Sequence, residues 1–274
     1  MKKILVTGAT GFLGSRIADF YQDKYKILAP AHREMDITNQ DNVWQYFRTF
    51  KPDIVVHCAA VSDVSTCEKQ QEYSWKINVT GTENIARAAK EISATCICCS
   101  SDQVYGGSTE MQANREDCPL NLVNVYGKEK AYAEQSASSI YDDCVHLRLS
   151  WMYDAGDDKR MDFVKQLKAC LKNTTEITFS SKDRRGITDV WEVVQNMEQA
   201  FALPGGIYNF GAPNDRTMYE TAVHIFEEKG YDISKIGQMQ HANFRNLTLS
   251  QEKINSYGIY FSATAEGVLK AWNN

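Results

Sequence analysis

The chain has 274 residues, 43% of them hydrophobic and 24% charged, which is the balance of a folded globular protein and not of a disordered one. Its net charge of −5 offers no basic footprint for nucleic acid, and no apolar run is long enough to span a bilayer. Strand-like sequence from Lys3 leaves no room for a signal peptide, so a cytoplasmic protein is expected, with its eight cysteines as small buried hydrophobes rather than disulfides.

The first element predicted is a strand, Lys2-Lys3-Ile4-Leu5-Val6, that runs into Thr7-Gly8-Ala9-Thr10-Gly11-Phe12-Leu13-Gly14 and then into an amphipathic helix carrying Ile17, Phe20 and Tyr21. In such a strand–turn–helix, Gly8 suits the tight turn, Gly11 lets the main chain approach a ligand, and Gly14 lets the helix lie near the strand. The helix start then presents free N–H groups and its positive dipole end to an anion, which suits the pyrophosphate of a dinucleotide.

Tyr25–Ala29 reads as a second strand and 39–50 as a helix. Ile54-Val55-Val56-His57-Cys58-Ala59-Ala60 is the continuous apolar run of a strand covered on both faces, with His57 as a satisfied core histidine. One long helix is predicted over 71–91, a fourth strand over 95–100, a helix over 125–139 and a strand over 144–150. This alternation predicts an α/β fold, a Rossmann-like doubly wound parallel sheet. Beyond Trp151 the rhythm loosens: helices are expected over 162–171, 190–202 and 218–229, strands over 176–179 and 207–211, and short helices near Gln251 and Ala263. The expected organisation is a dinucleotide-binding core over 1–150 and a small α/β lobe over 151–274, mainly for substrate, with some segments returning to the core. Cys96, Cys98 and Cys99 lie in one strand and cannot all face one way, so no metal site is expected there.

Chemistry is suggested by Tyr126-Gly127-Lys128-Glu129-Lys130 at a helix start and by Ser100-Ser101 at a strand end. Tyr126 and Lys130 are four residues apart and share a helix face, so a cation beside the phenol is expected to lower its pKa from about 10. Tyr126 is then a proton donor or acceptor to a carbonyl or alcohol, with Ser101 on the same oxygen. After the second strand, Ala29-Pro30-Ala31-His32-Arg33 has no acid for a ribose 2′-hydroxyl, and Arg33 could face a 2′-phosphate. This favours NADP(H). Glu34 and Asp36 stand about 20 residues past the last glycine, where an NAD-type acid is expected, so NAD(H) stays open.

These segments together resemble the extended short-chain dehydrogenase/reductases: the glycine turn, Cys58-Ala59-Ala60, Asn78 in Lys76-Ile77-Asn78-Val79-Thr80-Gly81, Ser100-Ser101-Asp102, and Tyr126 with Lys130. Met35-Asp36-Ile37-Thr38-Asn39, Ser101-Asp102-Gln103-Val104-Tyr105 and Leu149-Ser150-Trp151-Met152-Tyr153 point to the branch that reduces 4-keto groups of nucleotide-linked deoxysugars. The resemblance implies Tyr126 as general acid, Lys130 as its electrostatic partner and ribose ligand, and Ser101 on the substrate oxygen. It also implies cofactor contacts from Gly8, Thr10, Gly11, Phe12, Leu13, Asp36, Ile37, Cys58, Ala59, Ala60, Asn78 and Ser100. Substrate contacts are expected from Ser62, Asp102, Val104, Tyr105, Trp151 and Arg185, the last within Lys182-Asp183-Arg184-Arg185, which reads equally as a charged surface turn. Arg245 is a second candidate clamp for a substrate diphosphate.

The chain departs from the branch pattern with Ser101 where Thr is usual and Tyr105-Gly106-Gly107 where Phe-Asp-Gly is usual. Gln103 stands where dehydratases carry an acid, which argues against dehydration. A nucleotide-sugar 4-epimerase of the same fold and a non-catalytic NADP-binding regulatory subunit remain as alternatives. A homodimer packed on the helices around Val79–Ala89 and Tyr126 is implied by the resemblance alone.

Overall fold

The computed structural model describes residues 1–156, 161–172, 176–239 and 243–272. They fall into two compact units, one of residues 1–104, 122–148 and 194–208, the other of 105–121, 149–193 and 209–274.

The first unit begins with β1 (Lys3–Thr7), α1 (Phe12–Tyr21), β2 (Lys26–Leu28), α2 (Gln40–Phe50) and β3 (Ile54–His57). After them come α3 (Val64–Lys69), α4 (Gln71–Trp75), a π-helical turn over Lys76–Thr80, α5 (Gly81–Glu91) and β4 (Thr95–Ser101). α6 (Val125–Ile140) and β5 (Cys144–Leu149) follow. The sheet order is β2, β1, β3, β4, β5 and then a late strand over Gly206–Phe210, with β2, β1, β3 and β4 parallel. The chain leaves β1 towards β2 and returns to β3 on the other side of β1, so the strand order reverses there. Open α/β sheets bind ligands outside the carboxyl ends of the strands at such a reversal.

One face of the sheet buries Leu5, Val55 and Cys96 under Val43 and Phe47 of α2, Ile85 and Ala89 of α5, and Ala137 of α6. Asn39 caps α2 by accepting from the Asn42 N–H, the role that an Asn before an apolar periodic run predicts. The expected single helix over 71–91 is instead broken into α4, the π-helical turn and α5. Asn78 sits in the wide turn and directs its amide to Val61 and Glu129. A 3.6-residue apolar period cannot reveal that interruption.

His57 is a satisfied core histidine. The Ala59 N–H donates to Thr7 Oγ1 (3.2 Å), so the Thr7 hydroxyl donates to His57 Nδ1 (2.7 Å). Thr82 donates to the Asn78 carbonyl and therefore accepts from His57 Nε2 (3.1 Å). This chain of bonds needs the neutral imidazole, and burial pushes the His57 pKa from 6.5 down to about 4. Below pH 6.5 the unfolded chain takes up a proton that the folded one refuses. Stability should therefore fall between pH 6.5 and about 4, by up to about 3 kcal/mol, and His57→Asn should flatten this part of the profile in urea unfolding midpoints.

The second unit contains β6 (Trp151–Tyr153), α7 (Phe163–Lys172), β7 (Ile177–Ser180), β8 (Asp183–Arg184) and β9 (Ile187–Asp189). It continues with α8 (Val190–Ala200), which crosses into the first unit, and β10 (Gly206–Phe210), the late sheet strand, which starts in the first unit and ends in the second. The last elements are α9 (Met218–Glu228), β11 (Ile236–Met239), β12 (Arg245–Asn246), α10 (Glu252–Asn255) and α11 (Thr264–Ala271). β6 pairs with β9, β7 with β11 and β8 with β12 in two-stranded parallel sheets. β6, β8, β9, β11 and β12 were not expected from the sequence. With two to four residues each they are too short for a periodicity to register. Phe163, Val164, Leu167, Phe179, Ile225, Phe226 and Val268 form this unit's own core. Among the described residues no helix is long and apolar enough to cross a membrane.

Candidate active site

β1 delivers its carboxyl end into the glycine turn. Gly8 has φ +66°, and a Cβ there would stand 2.7 Å from the Ala59 nitrogen, so both the backbone angle and the neighbouring strand end require glycine. A Cβ on Gly14 would overlap the Gly8 carbonyl, which is why α1 can start so close to the strand. Gly11 caps α1 without any side-chain hydrogen bond, leaving the N–H groups of the first helical turn for an anion.

Beside this turn lies a cavity of about 520 Å³, within the range that holds a small-molecule ligand. Its walls are Thr7–Thr10, Ala29–His32, Glu34–Thr38, Ala59, Tyr73, Lys76 and Ile77. Of the expected cofactor residues, Gly8, Thr10, Asp36, Ile37 and Ala59 line it. Gly11, Phe12, Leu13, Cys58, Ala60, Asn78 and Ser100 do not line it, nor does Arg33. The turn closed by Glu34 N and Met35 N on the Ala31 carbonyl brings His32 and Glu34 to the wall, and Arg33 between them is exposed as they are. Asp36 both lines the cavity and accepts from the Thr38 N–H (2.9 Å) and hydroxyl (2.8 Å). Sequence reasoning missed Tyr73 of α4 and Lys76 and Ile77 of the π-helical turn, which also stand on the wall.

The reactive group is assembled by β4 and α6. Asn124 caps α6 by accepting from Gly127 N (2.7 Å), and a Cβ on Gly127 would overlap the Gln103 carbonyl, so glycine lets α6 begin against the strand end. Tyr126 and Ser101 are both buried, and the Ser101 hydroxyl lies near enough to act on the phenol. Lys130 donates from Nζ to the Cys99 carbonyl (2.9 Å) and lies 5.7 Å from the centre of the Tyr126 ring. The structure thus brings Ser101, Tyr126 and Lys130 together at the carboxyl end of β4.

The expected lowering of the Tyr126 pKa is overturned. Burial raises it well above 10, outweighing the nearby Ser101 hydroxyl that favours the phenolate, and Asp102 raises it further. The Lys130 ammonium is turned to the Cys99 carbonyl rather than the phenol oxygen, and burial lowers its own pKa. Tyr126 is therefore a neutral phenol at working pH, the form that can give a proton.

The six residues assigned to substrate are placed differently. Ser62 is exposed. Val104 and Tyr105 are fully buried, and the Tyr105 hydroxyl donates to Asn209 Oδ1 (2.9 Å), so these two side chains pack the protein and offer no surface to a ligand. Asp102 is buried and accepts from Ser101 Oγ (3.3 Å). In the second unit, the Arg185 guanidinium lies 5.2 Å over the Trp151 ring, which brings two of the expected residues into one patch. Arg245 is held bidentately by Asp183 (2.9 and 2.6 Å), so it is not a diphosphate clamp.

Cys96 and Cys98 do share a face, and Cys99 turns to the other, 3.6 Å from Cys58. The sequence could not show that Cys144 of β5 joins the first two, with all three sulfurs within 4.8 Å of one another. They lie in the apolar core with Ala86, Ala89 and Ala137.

The RmlD substrate binding domain family matches residues 1–250 of the chain. The chain is similar to the spore coat polysaccharide biosynthesis protein SpsK of Bacillus subtilis (strain 168), at 31% identity over 85% of this chain and 82% of that one. It is also similar to a dTDP-4-dehydrorhamnose reductase of Aggregatibacter actinomycetemcomitans, at 28% identity over 83% and 79%. Among solved structures, a dTDP-4-dehydrorhamnose reductase from Bacillus anthracis str. Ames in complex with NADP superposes with a TM-score of 0.86 over 100% of this chain and 98% of that one. At 23% identity this last likeness speaks for the fold.

Proposed function

The chain belongs to the RmlD substrate binding domain family, within the extended short-chain dehydrogenase/reductases, and we propose that it reduces the 4-keto group of a nucleotide-linked deoxysugar with NADPH, as a dTDP-4-dehydrorhamnose reductase does. The observation that carries the reading is the meeting of Tyr126, Ser101 and Lys130 at the end of β4, in the same unit as a dinucleotide-sized cavity.

The residues present fit a pyridine dinucleotide. The Gly8 turn has no room for a Cβ, and the uncapped N–H groups of α1 suit the pyrophosphate. The wall of His32, Glu34 and Asp36 would take the adenosine ribose, with His32 the group able to donate to a 2′-phosphate. When bound, NADPH supplies the hydride for the carbonyl carbon. The chain's own part is proton management at the carbonyl oxygen. Tyr126, kept as a phenol by burial, donates its proton there as the oxygen gains charge, and Ser101 donates a hydrogen bond to the same oxygen. Lys130, fixed by the Cys99 carbonyl, sets a positive charge behind the tyrosine and reaches for the ribose. Trp151 and Arg185 are the second unit's candidates for sugar and diphosphate. The same reading places the protein in the cytoplasm. It also pairs two copies through α5 and α6; the exposed Tyr132 of α6, its ring centre 4.9 Å from that of the exposed Trp75 of α4, supports α6 as part of such a face.

NADPH and NADH oxidation across a panel of nucleotide-linked 4-keto sugars tests the proposal. Net oxidation with at least one sugar, faster with NADPH, is expected. Sugar inversion without net oxidation would make the chain an epimerase, and cofactor binding without turnover would make it a binding subunit.

A further inference from the structure

One buried carboxylate close to the reactive pair has no part in the chemistry above. Glu129 lies on α6 between Tyr126 and Lys130 and is 1% exposed. It accepts from Ser74 Oγ at Oε1 (2.5 Å) and from Asn78 Nδ2 at Oε2 (2.7 Å). Asn78 in turn grips the backbone of Val61, its Nδ2 donating to the Val61 carbonyl (3.0 Å) and its Oδ1 accepting from the Val61 N–H (2.8 Å).

Both partners of Glu129 alternate with cavity residues. Ser74 follows Tyr73, Asn78 follows Lys76 and Ile77, and Val61 comes two residues after Ala59, four residues that all line the dinucleotide cavity. The Asn78 amide nitrogen donates to Val61 O and Glu129 Oε2, with the Cys67 sulfur a weak third acceptor at 3.9 Å, and its oxygen accepts from the Val61 N–H. The amide is saturated in one orientation only, and that orientation needs an acceptor at the Glu129 position. Without it a buried N–H is left with only the weakly accepting Cys67 sulfur, and the hold of the amide on Val61 loosens.

We infer that Glu129 is a positioning residue for the cofactor: it locks Asn78 and Ser74, and through them the π-helical wall and the end of β3, into the shape that receives the dinucleotide. The inference rests on the proposal that this cavity binds NADPH. What matters is reach and acceptor placement, not charge. A glutamine can turn its carbonyl oxygen to Asn78 and its amide to the Ser74 hydroxyl, whereas an aspartate keeps the charge and falls one methylene short of both.

The test is the NADPH dissociation constant of the full chain, by fluorescence titration, together with the KM for NADPH and kcat on whichever keto-sugar the wild type turns over. Glu129→Asp is expected to raise the dissociation constant about ten-fold, the effect of a poorly paired buried donor, and to raise KM more than it lowers kcat. Glu129→Gln should restore affinity to within about two-fold of wild type. If Asp binds as wild type does, or Gln binds worse than Asp, the positioning role is overturned. If the wild-type chain binds neither NADPH nor NADH, the reading on which the inference rests falls and takes it along. Neither substitution removes the side chain, so both variants keep the fold testable.

Discussion

Tyr126→Phe is expected to lower turnover about 10²- to 10⁴-fold, the range for removing a positioned general acid, while the dissociation constant for NADPH changes little. The phenol oxygen is the only atom removed, and it lies with Ser101 at the end of β4 rather than on the cavity wall around the glycine turn. Because burial holds the Tyr126 proton far above working pH, the wild-type rate of reduction should not depend on ionisation of this group near neutrality. Ser101→Ala should give a smaller loss, since it removes a hydrogen bond to the oxygen and leaves the proton donor in place. Steady-state rates beside a cofactor titration decide the matter: turnover of Tyr126→Phe within a few-fold of wild type would remove Tyr126 from the mechanism.

The glycine turn, the alternation of β1 to β5 with helices and the shared helix face of Tyr126 and Lys130 were legible because each depends on local sequence: a strand feeding a helix, or two residues one helical turn apart. What escaped depends on where side chains end. Spacing put Lys130 on the face of Tyr126 but could not show that burial governs the phenol, which sets the sign of its shift, or that the ammonium turns to the Cys99 carbonyl. Arg33 and His32 are neighbours in sequence, and that the turn at Ala31 sets His32 on the cavity wall is not visible in their spacing. Tyr105 looked like a pocket residue until Asn209, more than a hundred residues later, accepted its hydroxyl proton. The π-helical turn left no mark in the apolar period because its cause, the pull of Val61 and Glu129 on Asn78, is tertiary.

The largest effect on stability is expected from Glu134. Its carboxylate is 2% exposed and accepts from Arg148 Nε at Oε1 (3.0 Å), from Arg148 Nη2 at Oε2 (2.7 Å) and from Ser100 Oγ at Oε1 (2.5 Å). Arg148 is the largest fully buried side chain among the described residues. A guanidinium cannot shed its charge at any working pH, so Glu134→Ala would leave a cation in the core without its counter-ion. The expected loss is about 3–5 kcal/mol, a large share of the roughly 5–15 kcal/mol that holds a domain together. Removing both charges is a different matter, because a buried ion pair returns little more than the desolvation it requires. Glu134→Leu combined with Arg148→Met should therefore recover most of the loss, and the residual deficit should reflect the unpaired Ser100 hydroxyl, about 1–3 kcal/mol. Urea unfolding of the two proteins separates these outcomes: a double variant as unstable as Glu134→Ala would mean that the ion pair contributes net stability beyond charge balance. Ser100 adjoins Ser101, so the double variant's turnover also reports whether the pair orients the end of β4, where the substrate oxygen is expected to sit.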